Sequence, residues 1–218
     1  MSKDNSHSDA GVPPAMRPRK VPNQERSQST VDALLDGLAR ILVEAADAPE
    51  SATTNAIAAR AGVSVGSLYQ YFPNKEALVA ALLRRQARAE ANFVLGRMAA
   101  AGAHDLRSAL RVAIDAAFEF RASDPALQDA LLRELDRVPQ FPALVEEARQ
   151  AARGLGELLS AFRAEIRRSD LELALHVVCN AAFSLTHRGL FPRPADVDEG
   201  RYRDEVVSLL TAYLTHPE

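Results

Sequence analysis

Cysteine is all but missing. The single cysteine, Cys179, in 218 residues excludes an intrachain disulfide and fits a reducing compartment. No run of about 18 apolar residues occurs, so no segment is expected to span a membrane. The N-terminus has no apolar signal-peptide core, so export is not expected and a cytoplasmic protein is. Catalytic signatures are missing too: there is no GxSxG, GxxxxGK[ST], HExxH or CxxC, so an enzyme is not expected. No Cys or carboxylate set completes a metal site, and no cofactor is expected. Cys179 has no charged neighbour to lower its pKa and reads as a small buried hydrophobe rather than a redox sensor. Lysine is scarce, 3 against 23 arginines, which we attribute to genomic base composition rather than function.

What is present is ordinary globular material, 47% hydrophobic and 25% charged, long enough for one small domain and one larger one. Charge is uneven along it. Residues 17–88 carry 10 Lys and Arg against 7 Asp and Glu, whereas residues 89–218 carry 15 against 20. The mildly basic part is where contact with phosphates is expected. Helical periodicity recurs throughout, with no alternating strand pattern and no internal repeat, so the fold class is all-α with about nine helices.

Chemistry concentrates in TTNAIAARAGVSVGSLYQYFPNKEAL, residues 53–78. Thr53 caps a first short helix with Thr54 at its opening turn, and Ile57 and Ala61 form its inner face. Gly62 supplies a left-handed terminator. Ser64 caps a second helix whose Leu68 and Phe72, with Val63, point inward. That leaves Val65, Gly66, Ser67, Tyr69, Gln70 and Tyr71 around the outside. A third helix starts at Asn74, a good N-cap, after Pro73 interrupts the preceding one. This is a helix-turn-helix whose second helix is offered to a partner.

The segment resembles the N-terminal DNA-binding domain of the TetR family of bacterial transcriptional regulators, whose signature TTxxIAxxAGVSxGxLYxYFxxKExL it meets at every fixed position. The specific likeness covers roughly residues 25–85; beyond that it rests on length and helical pattern. It implies double-stranded DNA as the partner. Lys75 lies at the first turn of its helix, where free N–H groups and the helix dipole already favour an anion. It is expected to contact phosphate, as are the hydroxyls of Thr54 and Tyr71. Val65, Gly66, Ser67, Tyr69 and Gln70 are the candidates for base edges, and Ser64, which caps the helix, is also expected at the DNA; Gly66 allows close approach and Gln70 suits a bidentate contact with adenine.

Residues 1–22 are polar and proline-bearing and read as a disordered arm with a basic end. Arg17, Arg19 and Lys20 there are either a solvated tail or an arm reaching the adjacent minor groove. The DNA-binding domain is expected over 23–80. Its first helix, about Asn23 to Ala46, packs through Val31, Leu34, Leu38, Ile41, Leu42 and Ala45; Arg26 near its start is a further phosphate candidate.

A larger domain is expected over 81–218. The helix from Asn74 runs to about Ala101, ends at Gly102, and is followed by helices near 105–122, 125–137, 142–168, 169–190 and 199–215. Asp105 and Ser169 are expected N-caps, Pro125 and Pro142 first-turn prolines, and Gly189 with Pro192 a stop. The last two helices carry apolar stripes, Leu171, Leu175, Val178, Ala182 and Leu185 on one and Tyr202, Val206, Leu209, Leu210 and Tyr213 on the other. Either these are core stripes of a monomer, or, as the resemblance implies, the pair packs against its copy as a four-helix bundle. A symmetric dimer reads two half-sites about 34–36 Å apart and gains selectivity accordingly.

The resemblance also implies a small-molecule pocket in the larger domain, with Phe118, Phe141, Phe162 and Phe183 as aromatic candidates. His176, Asn180, Phe183 and His187 form a polar and aromatic stripe that is either an exposed seam, a dimer edge or a ligand face. The expected function is a homodimeric repressor on a palindromic operator, released by a small-molecule inducer. A transcriptional activator or ligand-independent regulator of the same fold is the alternative. A helical protein-interaction module without DNA binding is the alternative of another class, although an adaptor has no reason to expose this short helix.

Overall fold

Hydrogen-bonding side chains set the helix starts. Thr53 accepts the Ala56 N–H at 3.2 Å, Ser64 that of Ser67 at 3.0 Å, and Asn74 that of Ala77 at 2.8 Å. Each satisfies an amide that the first turn leaves without an intrahelical partner. At Asp105 the cap is reciprocal: its carboxylate takes the Ser108 N–H at 2.6 Å and the Ser108 hydroxyl takes the Asp105 N–H at 3.2 Å. These bonds hold the Asp105 carboxyl below its ordinary range.

The computed structural model describes residues 25–45, 51–137, 142–188 and 199–217. Among the described residues it contains nine α-helices and no strand. They are α1 (Glu25–Glu44), α2 (Thr54–Ala61), α3 (Val65–Tyr71), α4 (Lys75–Ala100), α5 (Leu106–Ala122), α6 (Pro125–Arg137), α7 (Pro142–Leu159), α8 (Leu171–Arg188) and α9 (Glu199–Thr215). None is long and apolar enough to cross a membrane. Arg19, Lys20 and the arm lie outside the described residues, as do Gly189, Pro192 and the side chains of Arg26, Phe141 and His187.

Two compact units divide the chain, residues 1–86 with 124–146, and 87–123 with 147–218. Helix α6, which follows α5 in the larger sequence domain, packs in the first unit: Ala130 and Leu131 are buried with Leu34, Leu38, Ile57, Leu68, Phe72, Leu78 and Leu82. Gly37 is where α1 and α2 close on each other. A Cβ there would stand 3.2 Å from the Ile57 carbonyl oxygen and 3.3 Å from the Ala61 nitrogen, backbone atoms with little freedom to give way. Gly62 takes the left-handed conformation, φ 69°. Its N–H bonds to the Ala59 carbonyl at 3.2 Å and that of Val63 to Ala58 at 3.0 Å, the paired closure of a Schellman motif.

The second unit buries Leu106, Leu110, Ile114 and Phe118 of α5 with Leu155 and Leu159 of α7, Leu175 and Val178 of α8, and Val207, Leu210 and Leu214 of α9. Two boundaries differ from expectation. The helix expected to reach residue 168 ends at Leu159 and gives way to a 3-10 turn, Ser160–Phe162. Tertiary bonds claim the chain beyond it. Glu165 caps the Leu106 N–H at 3.1 Å, Ile166 is buried, and the Arg167 N–H bonds to the Leu214 carbonyl at 2.8 Å. The cap of α8 is Asp170 rather than Ser169, its carboxylate accepting the Leu173 N–H at 2.9 Å.

Candidate nucleic-acid interface

Helix α3 has seven residues, and their spacing decides what it shows. Leu68 and Phe72 are buried as expected, at 0% and 1% exposure. Tyr71 is not on the outer face: it is 8% exposed and belongs to the core of the first unit. It sits three residues from Leu68 and one from Phe72, so helical geometry places it inward. Val65 is half-buried, packed against the same core. What remains outward on the helix is Gly66, Tyr69 and Gln70, spaced i, i+3, i+4 on one surface, with Tyr69 exposed to 41%, the Ser64 cap exposed ahead of them and Ser67 half-buried.

Gly66 is informative because nothing inside the chain asks for it. Only the Ser64 hydroxyl lies within 4 Å of a Cβ built there, at an ordinary 3.8 Å. A glycine that weakens a short helix by about 0.5–1 kcal/mol without any internal need points to a demand from outside.

Around this surface the hydroxyls are organised. Thr54, at the opening of α2, and Tyr69 hold their hydroxyl oxygens 3.2 Å apart, joining the two helices by side chains. Ser64 and Ser67 share a second such contact at 2.8 Å. The expected position of Lys75 at the first residue of α4 is observed, its side chain half-buried. Ion pairs link α2 and α4 to α1. Arg60 of α2 grips Glu44 with two bonds of 2.6 and 2.5 Å, and Arg85 of α4 reaches Asp36 at 2.8 Å. The Arg60 hydrogen bonds hold the Glu44 carboxyl below its ordinary range.

In the second unit most of the expected dimer stripe packs within the chain. Leu175, Val178 and Val206 are buried in the chain's own core, with Leu171, Ala182, Leu185, Tyr202 and Tyr213 packed against it; of that set only Leu209 is open, at 55%. The apolar side chains α8 does expose are Leu173, Val177 and Phe183, about half a helical turn round from the expected stripe. His176 and Asn180 lie on this outer face, the Asn180 amide donating to the His176 carbonyl at 2.7 Å. Phe118 is buried under the Arg203 guanidinium, 4.5 Å from its ring, and the Tyr202 ring, 6.3 Å away. Phe162 is half-buried.

Comparisons with known proteins agree with this architecture. Residues 44–82 match the family described as "Bacterial regulatory proteins, tetR family", and residues 105–214 match "Tetracyclin repressor-like, C-terminal domain". The chain belongs to the TetR family of transcriptional regulators. Among solved structures it is similar to a TetR-family transcriptional regulator from Streptomyces coelicolor, 27% identical, with TM-score 0.57, covering 85% of this chain and 97% of that one. A tetR family transcription regulator from Shewanella sp. PV-4 shares the fold at 21% identity and TM-score 0.62, over 83% of this chain and 95% of that one. One from Mesorhizobium loti does so at 16% and 0.63, over 88% and 98%. No curated protein matches.

Proposed function

We propose that the protein is a cytoplasmic homodimeric repressor that binds a palindromic operator and leaves it when a small-molecule inducer binds the second unit. The observation that carries this is the Gly66, Tyr69 and Gln70 surface: an exposed glycine with no internal role, beside an aromatic and an amide, on a helix capped at Ser64. Glycine lets the helix sink into a major groove, and Gln70 matches the donor and acceptor edge of adenine. Lys75 and the Thr54 and Tyr69 hydroxyl pair flank that surface at the starts of α4 and α2, where backbone N–H groups favour phosphate.

Twofold symmetry supplies the second half-site. The faces of α8 and α9 that carry Leu173, Val177, Phe183 and Leu209 suit a second copy, since apolar side chains this open are otherwise left in water. The inducer acts by favouring a conformer whose two recognition helices no longer fit successive grooves. The test is DNA binding by the full-length chain, with mass measured in the same buffer. Leu173→Arg with Leu209→Arg should give a folded monomer whose operator affinity collapses. A double variant that stays dimeric would overturn this choice of interface.

A further inference from the structure

The chain passes between its two units three times, at 86/87 in α4, at 123/124 after α5, and at 146/147 in α7. Immediately on the second-unit side of these passages stand four charged residues in two pairs. Arg88 of α4 grips Glu147 of α7 in a two-bond fork, Nε to Oε2 at 3.1 Å and Nη2 to Oε1 at 2.6 Å. Glu90 of α4 pairs with Arg121 in the last turn of α5, which also donates to the Ala117 carbonyl at 3.1 Å. Glu147 and Arg121 are buried, at 8% and 2%. Residues two apart on a helix point to nearly opposite sides. So α4 is held to α7 from one side and to α5 from the other.

We infer that the Arg88–Glu147 and Glu90–Arg121 pairs form a collar that ties α4, α5 and α7 together at this edge of the second unit, so that displacing any one of the three helices displaces the other two. This rests on the reading that an inducer acts in the second unit. Burial favours the collar as a two-position device. Burial pushes the Glu90 carboxyl up, with Arg121 pulling it back, and pushes the Arg121 guanidinium down. Separating the pair would therefore leave each charge in a desolvated site without its partner, which is costly. In the Arg88 fork the guanidinium is half in water and Glu147 is buried, so opening it leaves a carboxylate without its partner and costs stability.

The test is amide hydrogen exchange on the full-length protein, without DNA or ligand. Arg88→Met should raise exchange severalfold around residues 147–150 and also around 118–122, on the helix that neither partner of the opened pair belongs to. The charge exchange Arg88→Glu with Glu147→Arg should restore protection at both places. An increase confined to the neighbourhood of residues 88 and 147 would overturn the collar. A second arm uses a built-in push. A Cβ at Gly154 of α7 would meet the Leu95 Cδ1 of α4 at 2.6 Å, so Gly154→Val stands in for a ligand displacing α4. It should change retention on a mixed-sequence duplex at low ionic strength in the parent but not in the Arg88→Met background; equal changes in both would count against the collar. If the parent retains no DNA, the DNA-binding reading falls, while the exchange result still decides the collar.

Discussion

The two units are held together by different kinds of interaction, and the difference explains which of them could be read. In the first, the bonds that set the short helices are local, beside the longer Arg60–Glu44 and Arg85–Asp36 pairs: Thr53, Ser64 and Asn74 each cap an amide three residues on, and Gly62 closes α2 with its neighbour. In the second, distant residues supply them. Arg111 pairs with Asp204, Arg107 donates to the Ser208 hydroxyl at 3.1 Å, and Arg168 bonds the Tyr213 carbonyl at 2.6 Å while lying 4.2 Å from its ring centre. Local bonding makes a rigid small surface that carries its own specification. Long-range pairing makes a body whose faces can be assigned only once the helices are docked.

Core truncation should break that contrast most severely. Leu68→Ala, at a side chain with 0% exposure, should destabilise the first unit by about 2–5 kcal/mol and abolish DNA binding. Phe118→Ala should lose a comparable amount in the second while leaving protection of the α2 and α3 amides intact, as exchange would reveal. If the two truncations unfold both units equally, the units are not separately cooperative.

Two glycines sharpen the picture further. Gly37→Ala forces a methyl against the α2 backbone and should destabilise by about 1–3 kcal/mol. Gly66→Ala meets nothing inside and should leave stability unchanged or raise it by up to about 1 kcal/mol, yet weaken DNA binding. Thermal melts beside binding isotherms separate the two. A Gly66→Ala protein with full affinity would remove the case for close groove approach.

Charge and side-chain readout come next in size. Lys75→Ala should weaken binding to every duplex alike and flatten the logarithmic salt dependence by roughly one unit. Gln70→Ala should instead reorder operator variants, and a uniform loss across all of them would end its role in reading bases.

The smallest effect concerns Cys179, whose thiol burial pushes up to about 11. A raised thiol stays protonated at neutral pH, so alkylation of the native protein at pH 8 should be slow and should accelerate only as pH approaches that value. Rapid labelling at pH 8 would place the thiol in water.

In physical terms, the caps, the turn glycine, the buried Leu68 and Phe72 pair, and Pro125 and Pro142 at helix starts were legible because each depends on neighbours within one or two turns. Tyr71 was misplaced even so: on a helix of seven residues the inner arc takes in three of them, and an aromatic that also carries a hydroxyl fits either side. The stripes on α8 and α9 were found, but what they pack against was left open. Leu171, Leu175 and Val178 satisfy the same periodicity whether they meet another copy or α5 and α7 of the same chain. Gly37 has no signature in sequence, since its need arises from the α2 backbone. The Arg88 and Arg121 pairs likewise depend on partners 59 and 31 residues away.

The most direct measurement is selection of bound fragments from a randomised duplex library by the full-length protein at low ionic strength, with the stoichiometry of the retained complexes determined. Enrichment is expected of an inverted repeat whose half-site centres lie one helical turn or a multiple of it apart, occupied by an even number of chains. A folded, monomeric protein that enriches no sequence would contradict it.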